Sequence, residues 1–165
     1  MHKTTSGFTI VELLIVIVVI AILAAITIVA YNGIQNRTND AAIQADLANY
    51  SKKAELFNVD NSRYPANATE AATLGVRATQ TAYNTSYFNL YYCTQTSTNT
   101  NYVFAGRSKS GNLFYASSNG KGNLGNVAIN MPTVCNVIGL TYPTDTTGFM
   151  GKSNNGAGDW AAWTL

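Results

Sequence analysis

Few side chains in this 165-residue sequence could carry acid–base, nucleophilic or metal chemistry. The single histidine is His2, so a His-based triad or a His-ligated metal site in the body of the protein is excluded. No Asp or Glu occurs from Ala71 to Thr144, which leaves paired-carboxylate catalysis to the few acids elsewhere. No nucleophile has a recognisable base, and the sequence reads as a non-enzyme with no cofactor. Glu12 is the residue whose position is chemically costly. It lies within FTIVELLIVIVVIAILAAITIVAY (Phe8–Tyr31), where 21 of 24 residues are apolar and the other exceptions are Thr9 and Thr27. An ionisable group inside such a helix is expensive in a bilayer and usually marks function.

Composition narrows the classes further. Charged residues make up 11% of the chain and the net charge is +2, against a usual charged share of about a quarter. The ten Lys and Arg are scattered, not clustered as in a basic nucleic-acid binder. The sequence alone gives no direct evidence for a nucleic-acid partner. A hydrophobic content of 47% with almost no net charge excludes a disordered chain. Neutral polar residues replace the missing charge: 20 Thr, 19 Asn and 13 Gly.

The elements that place Glu12 follow from hydropathy. Leu13–Ile26 is an unbroken apolar run, and the whole stretch Phe8–Tyr31 meets the length of about 20 residues that a bilayer helix needs. Three readings compete: a secretory signal peptide with Lys3 as its basic region and cleavage near Ala24-Ala25, a plain membrane anchor, and a filament-core helix shared between subunits. Glu12 favours the third, because the first two have no reason to keep it. Beyond Tyr31 the helical spacing continues. Ile43, Leu47, Tyr50, Ala54 and Phe57 form a core-facing stripe, with Asp40, Asp46, Lys52, Lys53 and Glu55 off it. A helix from Phe8 to Phe57 would be about 75 Å long and would end at the breakers of NVDNSRYP (Asn58–Pro65). A short helix is expected near Glu70–Leu74. Strands are expected at Tyr87–Cys93, Asn101–Arg107, Asn112–Ser117 and Val134–Leu140, the middle pair as a hairpin around Lys109-Ser110-Gly111. The predicted class is α+β: a long N-terminal helix packed on the one apolar face of a small antiparallel sheet of three or four strands.

The sequence MHKTTSG followed by FTIVELLIVIVVIAILAAI resembles the class III signal of type IV pilins and pseudopilins, and YSKKAELFNVDNSRYP resembles the end of their long helix. The resemblance implies cleavage by a prepilin peptidase between Gly7 and Phe8, N-methylation of Phe8, and a role for Glu12 in assembly. It divides the chain into a leader (1–7), a transmembrane and filament-core half-helix (8–31), an amphipathic half-helix (32–57) and a β-rich head (58–165). It implies a structural subunit of a type IV pilus-like filament serving adhesion, motility or DNA uptake. The alternative is a pseudopilin of a type II secretion or competence system. The implied partners are further copies or other pilins, prepilin peptidase, a membrane assembly platform protein, and the membrane itself through residues 8–31. The implied location is the cytoplasmic membrane as a single-pass precursor, then an extracellular pilus.

In one place the sequence departs from the family. Many pilins carry a Pro past the middle of the helix. Here no Pro precedes Pro65, so a more continuous helix is expected, with Gly33 its one weak point. Cys93 and Cys135 are the only cysteines. An exported domain lies in an oxidising place, which favours a disulfide over two reduced buried thiols. The C-terminal segment faintly resembles the calcium loop of secretion pseudopilins. With Asp145 and Asp159 as its only acids, it is a weak metal candidate. Trp160 and Trp163 are expected to anchor the tail or to sit at a subunit contact.

Cleavage after Gly7 would place a charged amine on Phe8, one turn before the Glu12 carboxylate. Staggered helices can then pair the amine of one with the carboxylate of the next. At about 4 Å and intermediate dielectric the attraction is roughly 4 kcal/mol before desolvation. Its main effect is register, because a misplaced helix leaves a charge unpaired.

Overall fold

The computed structural model describes residues 7–84, 89–95 and 97–151, the side chains of residues 68, 72 and 147–151 excepted. Two units are distinguished, Met1–Gln35 and Asn36–Leu165. One helix, α1 (Ile10–Asn61), contributes to both. It runs without a break through Gly33. No helix-interior Pro removes a hydrogen bond from its ladder. It also continues four residues past Phe57, because Asn58, Asp60 and Asn61 lower helix propensity without removing a backbone donor.

In the first unit every described residue from Gly7 to Gln35 is exposed. Ile10 is 85% exposed, Leu14 54% and Val29 74%. Burial of one such side chain stabilises by about 1.5–3 kcal/mol, so this surface calls for a bilayer or for other helices. The helix is long and apolar enough to cross a membrane.

The second unit is built on a five-stranded antiparallel sheet: β1 (Leu90–Gln95), β2 (Tyr102–Arg107), β3 (Leu113–Ser117), β4 (Gly120–Asn123) and β5 (Thr146–Gly151), in the order β4-β3-β2-β1-β5. Side chains alternate between the faces, as the pleat requires. Tyr92, Tyr102, Phe104, Phe114 and Ala116 meet Ile43, Leu47, Tyr50 and Ala54 of α1 on one face. The ring of Phe104 stacks on Tyr50 at 5.1 Å and lies 4.6 Å from Tyr92. Gly106 makes this approach possible, since a Cβ there would sit 3.0 Å from the Tyr83 ring and 3.2 Å from Ile43 Cγ2.

The opposite face is also covered, so the expectation of one apolar face is corrected. Tyr91, Cys93, Val103, Ala105 and Leu113 pack under Met131, Val134, Cys135 and Ile138. The covering segment contains α3 (Met131–Cys135) and a 3₁₀ turn (Asn136–Ile138). Val134–Leu140 is therefore helical and not a strand. Asn130 Oδ1 accepts from Thr133 N at 2.8 Å, and Pro132 stands in the first turn, where its missing N–H costs nothing. A Cys93–Cys135 disulfide fastens this layer to β1. The hairpin of β2 and β3 lies where the sequence places it. The short helix near Glu70 is α2 (Ala68–Ala72), capped by Asn67. Strands β4 and β5 are not among the predicted segments, and the fifth strand goes beyond the expected three or four. Residues 87 and 88 of the first predicted strand lie outside the described residues, as do Asp159, Trp160 and Trp163.

Candidate functional site: the start of the apolar helix

The first turn of α1 holds Glu12 by a reciprocal capping arrangement. Thr9 N donates to Glu12 Oε2 at 2.8 Å and Thr9 Oγ1 donates to the same oxygen at 2.7 Å, while Glu12 N donates to Thr9 Oγ1 at 3.3 Å. Thr-Ile-Val-Glu is thus a capping box, in which two orphan helix donors are satisfied by side chains. The negative group also lies at the positive end of the helix dipole. The T-x-x-E spacing is visible in the sequence, so Thr9 was legible as the partner of Glu12 although only the carboxylate stands out by cost. Gly7 and Phe8 precede the helix in non-helical backbone and are exposed, Phe8 at 84%. The helix start can therefore present a short non-helical segment, an apolar ring and one oriented carboxylate on an otherwise apolar rod.

The remaining carboxylates do different work. Asp46, which sequence spacing puts off the core stripe, is buried. Its Oδ2 accepts from Thr79 N at 2.6 Å and its Oδ1 from Thr79 Oγ1 at 3.1 Å. Burial raises its pKa, and the two Thr79 bonds oppose that rise. Asp46 thereby ties α1 to the loop after α2, a role that periodicity could not show. Glu55 accepts from Tyr64 Oη at 3.0 Å and from the fully buried Tyr102 Oη, also at 3.0 Å. Burial, then Glu55, pushes the Tyr64 hydroxyl up to about 12. Glu70 takes a two-pronged contact from Arg63, at 2.6 and 2.9 Å, and is held at about 2.

Asp145 is exposed, and its Oδ2 accepts from Thr141 N at 3.3 Å. Among the described residues no three His, Cys, Asp or Glu side chains gather as a metal site. Asp159, the other calcium candidate, lies outside them.

Known proteins share the N-terminal pattern. A family model described as the prokaryotic N-terminal methylation motif matches residues 2–28. The type IV wide pilus major component PilA4 of Thermus thermophilus is 39% identical over 77 residues, covering 47% of this chain and 59% of that protein. The type II secretion system core protein G of Dickeya chrysanthemi is 28% identical over 65 residues, covering 39% of this chain and 42% of that protein. Its counterpart from Klebsiella michiganensis is 30% identical over 64 residues, or 45% of its own length. The chain thus spans about half the length of the curated relatives it matches. The methylation motif, the helix-on-sheet architecture and relatives of both kinds agree in relating this chain to the type IV pilins and pseudopilins.

Proposed function

We propose that the protein is a structural subunit of a type IV pilus-like filament, without catalytic activity of its own. The carrying observation is the fully exposed apolar length of α1 with one carboxylate fixed at its start. In this reading the precursor sits in the cytoplasmic membrane through residues 8–31. Prepilin peptidase cuts after Gly7 and methylates Phe8, and an assembly platform extracts the helix into the filament. The apolar surface then passes from lipid to neighbouring helices, and the head remains outside. Glu12 meets the Phe8 amine of a neighbour. The Thr9 bonds keep the carboxylate satisfied until then and must be exchanged when the pair forms.

The test is the protein in its own cells. The mature chain is expected to begin with N-methylated Phe8 by mass spectrometry. Glu12→Ala is expected to leave processed subunits in the membrane without filaments. A mature chain beginning after Ala25, or wild-type filament yield from Glu12→Ala, would overturn the proposal. The relatives named as secretion core protein G support a second reading, a subunit of a short secretion or competence pseudopilus. Imaging of shed filaments with identification of their main protein separates the two: long surface fibres of this chain favour the pilus.

A further inference from the structure

A backbone amide can attack the carboxamide of a preceding Asn, and it does so most readily where the amide belongs to Gly, because no Cβ shields it. The chain carries three such dipeptides: Asn32-Gly33, Asn119-Gly120 and Asn155-Gly156. The third lies outside the described residues. The fold treats the other two differently. Asn32-Gly33 lies inside α1, where each amide donates to a carbonyl four residues back. Closing a ring there would break the ladder of a 52-residue helix.

Asn119-Gly120 stands at the tip of the β3–β4 hairpin. Ser118 and Asn119 form the turn, and Ser117 pairs with Gly120 across it. Asn119 and Gly120 are both exposed. Gly120 has a φ of +136°, in the region that favours glycine, and a Cβ built on it would meet nothing within 4 Å. Ser117 Oγ accepts from Asn119 N at 3.2 Å and donates to Gly120 O at 2.8 Å. The main chain is thus held on both sides of the dipeptide, while the Asn119 side chain has no hydrogen-bond partner among the described residues. An unhindered amide and a free carboxamide are kept next to each other, which is what an intramolecular attack needs.

We propose that Asn119 is a site of spontaneous modification, at which its side chain becomes a carboxylate through a cyclic imide with Gly120. The Gly120 nitrogen bonds to Asn119 Cγ, the Cγ–Nδ2 bond breaks, and the proton of that Gly120 amide leaves with Nδ2 as ammonia. Water then opens the imide. Its hydroxyl stays on the carbonyl carbon attacked, and its proton returns to the Gly120 nitrogen. Opening at Cγ gives aspartate. Opening at the main-chain carbonyl gives isoaspartate, in which the main chain runs through Cβ and Cγ. Either product is the one acid between Glu70 and Asp145, and it lowers the net charge of +2 by one. The isoaspartate also lengthens the main chain at the tip, so the register of β4 on β3 is strained. β4 ends the sheet and has β3 as its only neighbour, so it loosens first. The tip of the head thereby records the age of a subunit. The step needs only the folded head and water, so it stands whichever filament the chain serves.

The test is peptide mapping by mass spectrometry of the full-length chain, kept in nonionic detergent at mildly alkaline pH. The fragment with Asn119 is expected to gain about one mass unit in ordinary water and about three in heavy-oxygen water, and to separate into aspartate and isoaspartate forms. In the folded protein this conversion should run more than about tenfold faster than that of the fragment with Asn32, and the two rates should converge in denaturant, where the helix ladder no longer protects Asn32. Asn119→Gln, which would need a larger ring, should stop conversion at this position. Conversion at Asn32 as fast as at Asn119 in the folded protein would overturn the proposal. So would an unchanged Asn119 fragment over the time that converts the denatured chain, or conversion of Asn119→Gln at the wild-type rate. Near-UV circular dichroism of the buried tyrosines confirms that wild type and variant are folded during the incubation.

Discussion

The Cys93–Cys135 disulfide offers the sharpest test of how the head is held together. The bridge spans a sequence separation of 42 residues and ties α3 to β1 through two fully buried sulfurs. On the chain-entropy model, closing a loop of this length removes about 4 kcal/mol of unfolded-state freedom. Replacing both residues, Cys93→Ala with Cys135→Ala, also deletes two buried sulfurs from the second core, at roughly 1 kcal/mol each. The sum is about 6 kcal/mol, a large part of the 5–15 kcal/mol that holds a typical domain. At roughly 4 °C per kcal/mol for a unit of this size, the double variant should melt about 20–25 °C lower, and reduction of the native protein about 15 °C lower. Thermal unfolding followed by near-UV circular dichroism of Tyr50, Tyr92 and Tyr102 reports the head separately from the long helix. If oxidised, reduced and double-alanine proteins melt within about 3 °C of one another, the covering layer is held by packing alone and the loop-closure reasoning fails.

Gly106→Ala should cost about 1–3 kcal/mol in denaturant unfolding, because the added Cβ presses on two fully buried side chains, Tyr83 and Ile43; an unchanged midpoint would show that the helix can shift. The raised pKa of Asp46 means that its contribution to stability is present below the ordinary value of 3.8 and is lost as pH rises through the folded-state value. Asp46→Asn should therefore compare more favourably with wild type at pH 7 than at pH 4, and a gap that widens against the variant at pH 7 would contradict this. The lowered pKa of Glu70 has the opposite sign: its contribution is present above 4.5 and is lost as pH falls to about 2. Both partners of that pair are partly exposed. Glu70→Gln should thus cost less than about 1 kcal/mol at pH 7, vanishing near pH 2 by acid titration of stability.

The helix and its chemistry were legible because they rest on local rules. Apolar density, the cost of Glu12 and the 4-3-4-3 spacing from Ile43 to Phe57 each point to a definite geometry. Four of the five stripe residues are fully packed, and Phe57 is partly buried against the same core. What the sequence does not display depends on tertiary partners. Asp46 looks like a surface residue until Thr79 arrives from thirty-three positions away. The run VCNVIGL has strand composition, but the Asn130 cap and Pro132 start a helix just before it. Strand β4 is Gly-Lys-Gly-Asn, with low strand propensity throughout. Its ladder with β3 comes from the turn that delivers it.

The strand order imposes a timetable on the head. β1 does not end the sheet: it lies between β2 and β5, and β5 is the last strand among the described residues. Until residues 146–151 arrive, the backbone donors and acceptors along one side of β1 have no ladder partner. Cys93 likewise waits for Cys135. A head emerging vectorially can form the β1–β2–β3–β4 meander early, but it carries an open edge through the heart of its sheet until almost the whole sequence is present. Such an edge is a template for strand pairing with other chains and a point of entry for proteases. Completion by β5 thus distinguishes finished subunits from interrupted ones.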